Sequence, residues 1–494
     1  MNRNLIRYSI IIKTVGKFIK AKSDFLIVWM PTLFYFSLWF INPPNKIIAL
    51  SFAILFSVFY LQVRDLRISL LLSYLISSVI YTGKTYSFQL IPAGIFPKEL
   101  YPDGFILLYI ISFRHIIAFT MFIVLIRDFI SSGFKLFKIS GEDIILIVFY
   151  LWILFSDLFA SANPDISLSY STLYLEVLIT YFYIKVYAAR SQLVKLVFWI
   201  FIAMFVFQSG IAFQQFANSS PISKTIEYPV LSSYFGTAPD EIQFRFRPIG
   251  TFPHANILGS WLAFLLSIIF VFFYRKINYL FFALFVLGLT VLVMTLSRGA
   301  WLGGFISIMF IFYIMEKVKR KRISKIKTKH FISLLVLAIV LIALFVLPRA
   351  TSSVNSFLEG EGGGPYRLSQ IKETIDIIRR YPLLGVGTAM SIQKGIEINP
   401  HGVYAQAPLQ VHNWYFLQAV EHGIPSIVLF LLFVVLSFRK LVVTILRNKM
   451  TSFNNYIRLG FVAGSLSIFV VGFFQPFLLM IPLFLSVSLF REKN

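Results

Sequence analysis

Along this chain apolar residues come in long blocks, not in the strict alternation of a half-buried strand or the narrow stripe of a soluble amphipathic helix. Such runs, mostly 16 to 22 residues, recur near 24–42, 47–62, 67–82, 105–126, 143–160, 167–188, 192–214, 254–274, 277–296, 300–316, 331–347, 412–438, 459–475 and 476–490. Crossing a hydrocarbon layer takes about 20 residues of helix, and only a helix or a closed barrel satisfies its own backbone groups there. The pattern predicts an all-α fold, a polytopic transmembrane bundle of 12–14 spans drawn from these runs.

Most polar interruptions are short turns such as "NPPNK" and "SANPDIS", but 215–253 and 348–411 are long. Long connections with structure of their own are usually functional. The second one starts with a glycine hinge, "EGEGGG" at 359–364, followed by "PYRLSQIKETIDIIRRYPLLGVG". There Leu368, Ile371, Ile375 and Ile378 recur at helical spacing, with Arg367, Lys372, Asp376 and Arg379 around them. This predicts an amphipathic helix over one membrane face, stopped by Pro382. The expected organisation is a set of N-terminal transmembrane helices over 1–240 and a catalytic region over 241–490 that includes the extracytoplasmic loop 348–411.

Charge orients this frame. The chain is 58% hydrophobic with a net charge of +24. With the N-terminus in the cytoplasm, 30 of the 45 Lys and Arg lie in or beside cytoplasmic loops and 13 outside. That is the positive-inside bias, so the dense run "EKVKRKRISKIKTKH" at 316–330 reads as a topology anchor instead of a nucleic-acid site. The N-terminal apolar run lacks a small-residue cleavage site and is expected to be a retained span. The absence of cysteine excludes disulfide and thiol chemistry.

The candidate chemistry gathers at span ends facing outward. "FRFRPIGTFPHANILGSW", "TLSRGAWLGG", "PYRLSQ" and "VHNWYF" together bring Arg245, Arg247, His254, Asn256, Arg298, Arg367, His412 and Asn413 to one boundary. Arginine is a permanently charged, rigid five-donor fork, so several of them converging point to a phosphate or diphosphate. Asp240, Glu241 and Glu421 are near in sequence and offer ion pairs as the plain alternative. His412, at a helix start, has the chemistry of a general base for a hydroxyl, and the helix dipole favours its neutral form. His254 sits in a turn feeding a span, where a structural role is equally in keeping. Arg114, His115 and Glu176 fall midway along spans, either paired with one another or lining a path. No Asp-x-Asp pair, phosphate-binding Gly-x-x-x-x-Gly-Lys loop, Gly-x-Ser-x-Gly or His-Glu-x-x-His motif occurs. No metal site and no cofactor are expected.

Three of these stretches, "TLSRGAWLG", "YRLSQIKETIDIIRRYPLLGVG" and "HNWYFLQAVEHGIPS", resemble the core of the O-antigen ligase and polymerase superfamily, and "RPIGTFPHANILGSW" is similar to its Gly-Thr-Phe…Asn-x-x-Gly stretch. The resemblance spans roughly residues 240–480. His412, Asn413 and Gly423 fit the family's ligase motif, while Ser426 stands where the family usually has Gly, Thr or Tyr. The resemblance implies a metal-independent, inverting glycosyltransferase at the outer face of the bacterial inner membrane. Its donor would be a glycan on undecaprenyl diphosphate and its acceptor a glycan or a lipid-anchored group, with a chain-length regulator or flippase as partner and no nucleic acid. In that frame His412, Arg298 and Arg367 are the expected catalytic residues. Arg247, Arg245, Asn413, His254 and Asn256 are expected to bind diphosphate and glycan. A polymerase of surface polysaccharide (O-antigen or exopolysaccharide) is the first reading. A ligase moving the finished chain to lipid A core or another anchor is the second. A lipid-linked glycan flippase is the third, although a transporter's charges belong at the bilayer midplane.

Overall fold

The computed structural model describes residues 28–34, 45–79, 83–91, 105–132, 139–187, 191–219, 222, 247–275, 279–318, 363–447 and 453–476. Arg245, the basic run beyond 318, the expected span 331–347, all but the first residue of 476–490 and most of 24–42 lie outside these residues.

Helices dominate. In chain order they are α1 (Asn45–Val63), α2 (Leu66–Ser77), α3 (Phe113–Ser131), α4 (Gly141–Phe159), α5 (Pro164–Tyr187), α6 (Ser191–Asn218), α7 (Ala255–Arg275), α8 (Tyr279–Met294), α9 (Arg298–Val318), α10 (Gly363–Arg380), α11 (Ser391–Ile398), α12 (Val403–Gln406), α13 (Trp414–Arg447) and α14 (Phe453–Gly472). Among the described residues, α6, α7, α9, α13 and α14 are long and apolar enough to cross a bilayer. The outward faces of α3, α4 and α13 expose residues such as Phe119, Ile123, Leu151, Phe155, Val428 and Val435. An apolar surface of this extent belongs in lipid, and the chain is a multi-pass membrane protein.

One expected element is different. The run 105–126 does not form a single helix. Phe105–Ser112 is a strand (β2) paired antiparallel with β1, Gly83–Ile91, in a register from Gly83↔Ser112 to Gln89↔Ile106, and the helix starts only at Phe113. A short apolar run rich in Ile and aromatics carries no period that separates a strand from a buried helix, and "FILLYIIS" has the β-branched and aromatic content that strands favour. Among the described residues the fold is therefore a helical bundle with a two-stranded antiparallel pair.

The centre of the molecule is α7, α9 and α14 packed side by side, with α8 against α7. Helix α7 is apolar all round and buried along its length, as a central helix should be. Helix α14 approaches it through Gly460 and Gly464, where an added Cβ would press on the Ile268 Cα and the Phe264 carbonyl. Small residues four apart allow this close backbone contact in apolar surroundings, where no hydrophobic force draws helices together.

The second packing unit joins α4 and α5 to the first half of α13, with α10 laid across α13. Here α13 is broken. Gly423 has φ 76°, and Pro425 supplies no N–H. The turn after α10 docks into the break. Ile424 N donates to Pro382 O (2.8 Å), Gly387 N to Glu421 O (2.8 Å), and Val386 N to Val420 O (3.0 Å). The hydroxyl of Ser426 bonds Gly423 O at 2.7 Å. Trp152 Nε1 donates to His422 O at 2.9 Å. Thus "YPLLGVG" and "EHGIPS" are two halves of one clasp, each satisfying the backbone groups that the other leaves open.

Helix α10 is the amphipathic helix expected before Pro382, but it starts within the anticipated hinge, and its inner face differs. Gln370 and Thr374 are fully buried while Leu368 is half exposed. Thr374 Oγ1 bonds the Tyr404 hydroxyl at 2.7 Å, and Gln370 Nε2 donates to Leu409 O at 2.6 Å. Arg114 and His115 both reach Glu176, at 3.3 Å each, and Tyr74 donates to the same carboxylate at 2.8 Å. That charge cluster is paired inside the bundle.

Candidate functional site

One end of the bundle is where α7, α9 and α13 begin and α14 ends. A cavity of about 440 Å³ opens there, lined among others by Arg247, Asn256, Arg298, Arg367, His412 and Gln475. Three expected arginines, the expected histidine and the expected asparagine therefore meet, from four separate stretches of chain. No carboxylate lines the cavity among the described residues. Glu421, the acid nearest in sequence to the His412 motif, is buried elsewhere and accepts from Ala389 N at 3.0 Å. Asp240 and Glu241 lie outside the described residues.

Each cation is placed by a different local device. Arg247 sits at the start of the turn that enters α7. Two amide side chains of α6 hold that turn: Gln215 Oε1 accepts from Ile249 N (3.0 Å) and Gly250 N (2.8 Å), and Gln208 Oε1 accepts from Thr251 N (3.0 Å). The Arg247 guanidinium is almost wholly buried, with Nε on Thr295 O (2.9 Å) and Nη2 on Asn256 Oδ1 (2.8 Å). Arg298 is the first residue of α9 and is exposed to the cavity. The turn before it strains Leu296 to φ 52°. A cation at the N-terminus of a helix opposes the helix dipole, and both place positive potential at the same spot. With Ser297 and Gly299 also in the wall, the first N–H groups of α9 add donors to the guanidiniums, an arrangement suited to an anion. Arg367 comes from the first turns of α10.

His412 lies just before α13, part-buried, with Nδ1 3.4 Å from Gln370 Oε1. Because Gln370 Nε2 is committed to Leu409 O, its oxygen faces the ring, and in the tautomer that makes this bond Nε2 keeps its lone pair. Burial, and then the Arg367 charge, pull the His412 pKa down to about 4, partly opposed by the Gln410 carbonyl. The imidazole is neutral at pH 7.

Two expected binding residues act as helix caps at the rim. Asn413 Oδ1 accepts from Tyr415 N (3.0 Å) and Phe416 N (3.1 Å), an N-cap for α13. His254 Nδ1 accepts from Asn256 N at 2.9 Å and caps α7 in the same way. Burial, and then the Arg247 and Arg367 charges, lower the His254 pKa to about 3. Neither residue is in the cavity wall.

Sequence reasoning missed Gln370 and Gln475. The first is three residues from Arg367, on the same helix face. The second is an amide in the run "GFFQPF", where a polar side chain so close to hydrocarbon was the available signal. The other histidine of the motif, His422, is fully buried. Tyr174 donates to Gln418 Oε1 (2.9 Å), Gln418 Nε2 donates to His422 Nδ1 (2.7 Å), and His422 Nε2 meets Thr388 Oγ1 (2.8 Å), which bonds Asp157. It belongs to the clasp, away from the cavity.

Residues 283–431 match the family model described as O-antigen ligase. This match, over less than a third of the chain, supports the resemblance to the O-antigen ligase and polymerase superfamily. No match is found among curated proteins. The O-antigen ligase match takes in Arg298, Arg367 and His412, the clasp and the start of α13, whereas Arg247, Asn256 and Gln475 reach the same cavity from outside it.

Proposed function

We propose that this protein is a glycosyltransferase that moves a glycan from undecaprenyl diphosphate to a sugar hydroxyl at the outer face of the bacterial inner membrane. The observation that carries the reading is the cavity: Arg247, Arg298 and Arg367, the start of α9 and a neutral His412 surround it. Such a set is complementary to a diphosphate. As the bond from sugar to diphosphate breaks, negative charge grows on the leaving group, and guanidiniums already fixed there stabilise that charge without reorganising. His412 Nε2 takes the proton of the attacking hydroxyl, which approaches from the face opposite the diphosphate and inverts the anomeric carbon. The proton leaves the acceptor, the new glycosidic bond forms, and undecaprenyl diphosphate departs as an anion held by arginine. Val471, Phe473 and Phe474 line the same cavity and suit the first isoprene units of the carrier. No metal is assigned a part.

The acceptor in this reading is a growing surface polysaccharide, which makes the protein a polymerase. A ligase reading, with transfer to lipid A core or another anchor, draws support from the family model's description and from the His412, Asn413, Gly423 motif. Gel analysis of surface glycans from a deletion strain separates the two. Single-repeat products are expected of a lost polymerase. Long chains left on the carrier would mark a lost ligase, and an unchanged glycan profile would contradict both.

A further inference from the structure

Among the described residues, the wall of the cavity contains a buried side-chain acceptor without a partner. Gln475, just past α14, is 3% exposed. Its Nε2 donates to Ser260 Oγ at 2.6 Å, and its Oε1 is buried with no hydrogen-bond partner. The orientation of the amide follows from Ser260. A hydroxyl has one hydrogen, and that of Ser260 goes to Asn256 O at 2.7 Å, so Ser260 Oγ must accept from the amide. Turning the amide over would leave two acceptors competing for that single hydrogen. The oxygen is therefore the atom left open, in a residue that lines the cavity. A buried acceptor without a donor is costly, and here the missing donor is expected from a ligand.

This step rests on the proposed transferase reading. Among the parts of such a donor, a diphosphate brings only acceptors and an isoprenoid tail brings no hydrogen-bonding group. Only the sugar brings donors. The Ser260–Asn256–Arg247 chain of bonds ties Gln475 to the arginine that faces the diphosphate. We infer that Gln475 reads the sugar attached directly to the diphosphate, its Oε1 accepting a hydrogen bond from a hydroxyl or amide N–H of that sugar. Gln475 thus distinguishes a loaded carrier from a spent one, which favours release of undecaprenyl diphosphate after transfer.

Binding of two lipids to the purified full-length protein in nanodiscs tests this: undecaprenyl diphosphate, and the undecaprenyl-diphosphate-linked glycan extracted from the producing strain. Gln475→Ala is expected to weaken the glycan-bearing lipid about tenfold, the worth of one hydrogen bond, and to leave the bare diphosphate within about twofold. Gln475→Met, which keeps the side-chain length, should give the same split if the alanine variant is unstable. Equal weakening of both lipids, or of neither, overturns the assignment while leaving the transferase reading intact. A wild-type protein that binds neither lipid overturns both.

Discussion

Arg298, Arg367 and His412 are ordinary surface-type residues made unusual by where the chain ends its helices. Each sits within the first two turns of a helix or just before it, so a small change in helix start would move it out of the cavity. Removing one guanidinium from a developing diphosphate charge is expected to cost about 2–4 kcal/mol, or roughly 30- to 1000-fold in rate. His412 carries a pH prediction. Its pKa is lowered from 6.5 to about 4, so the basic, neutral form survives to more acidic pH than in a free imidazole. The acid limb of kcat/KM should therefore fall near pH 4 and not near 6.5. A bound diphosphate offsets the Arg367 charge and raises the ring pKa, so the acid limb of kcat should lie at higher pH than that of kcat/KM. Coincident limbs near 6.5 would contradict this electrostatic picture. The neighbouring Asn413 tests the opposite assignment. As an N-cap, its replacement by Ala should cost about 1 kcal/mol of stability with less than tenfold loss of transfer, and Asn413→Ser should restore the stability. The sequence made Asn413 and His254 look like ligands because a side chain that can bind a ligand can equally accept from a helix's first N–H groups, and only the backbone N–H positions separate the two uses.

At the scale of elements, the clasp between the 381–390 turn and the break in α13 sets the height at which His412 meets the arginines. Helix α10 delivers Arg367 and Gln370, the turn after it locks into the break at Gly423, and α13 delivers His412. Gly423 is the position that tolerates least: its φ of 76° is left-handed, and a Cβ there would overlap the Leu383 carbonyl. Gly423→Ala is expected to lower the thermal stability of the purified protein by several degrees and to reduce transfer. An unchanged melting temperature would show that the clasp does not hold this region. The helices of this unit were legible because their apolar spacing has a period and Pro382 stops the pattern. The clasp was not, since its bonds join backbone groups more than thirty residues apart in sequence and backbone groups leave no compositional trace. The strand at Phe105–Ser112 was hidden for a related reason: a run of seven apolar residues closed by a serine is too short to show its own period.

For the whole molecule, the central claim is one of position, that distant segments assemble a cationic cavity at a single end of a membrane bundle. Block hydrophobicity made the bundle readable, and the crowding of arginines at alternate span ends made most of the cavity readable. Gln475 escaped because a lone amide beside apolar neighbours matches no motif; its meaning appears only when Ser260 and Asn256 are placed beside it. The expected orientation is open to a clean test, as the chain has no cysteine of its own. Helix α9 runs 21 residues from Arg298, about 30 Å at 1.5 Å per residue, which matches the hydrocarbon thickness. A cysteine at exposed Leu409, in the segment leading to His412, should react with a membrane-impermeant maleimide in intact spheroplasts, and one at Lys317 should not. The reverse pattern would place the cavity on the cytoplasmic side. The most direct measurement is glycan transfer by the purified, reconstituted protein from the proposed undecaprenyl-diphosphate donor, comparing wild type with Arg298→Ala, Arg367→Ala and His412→Ala. Each variant should insert and fold normally and lose roughly 30- to 1000-fold of kcat/KM. Full transfer by properly folded variants would contradict the account.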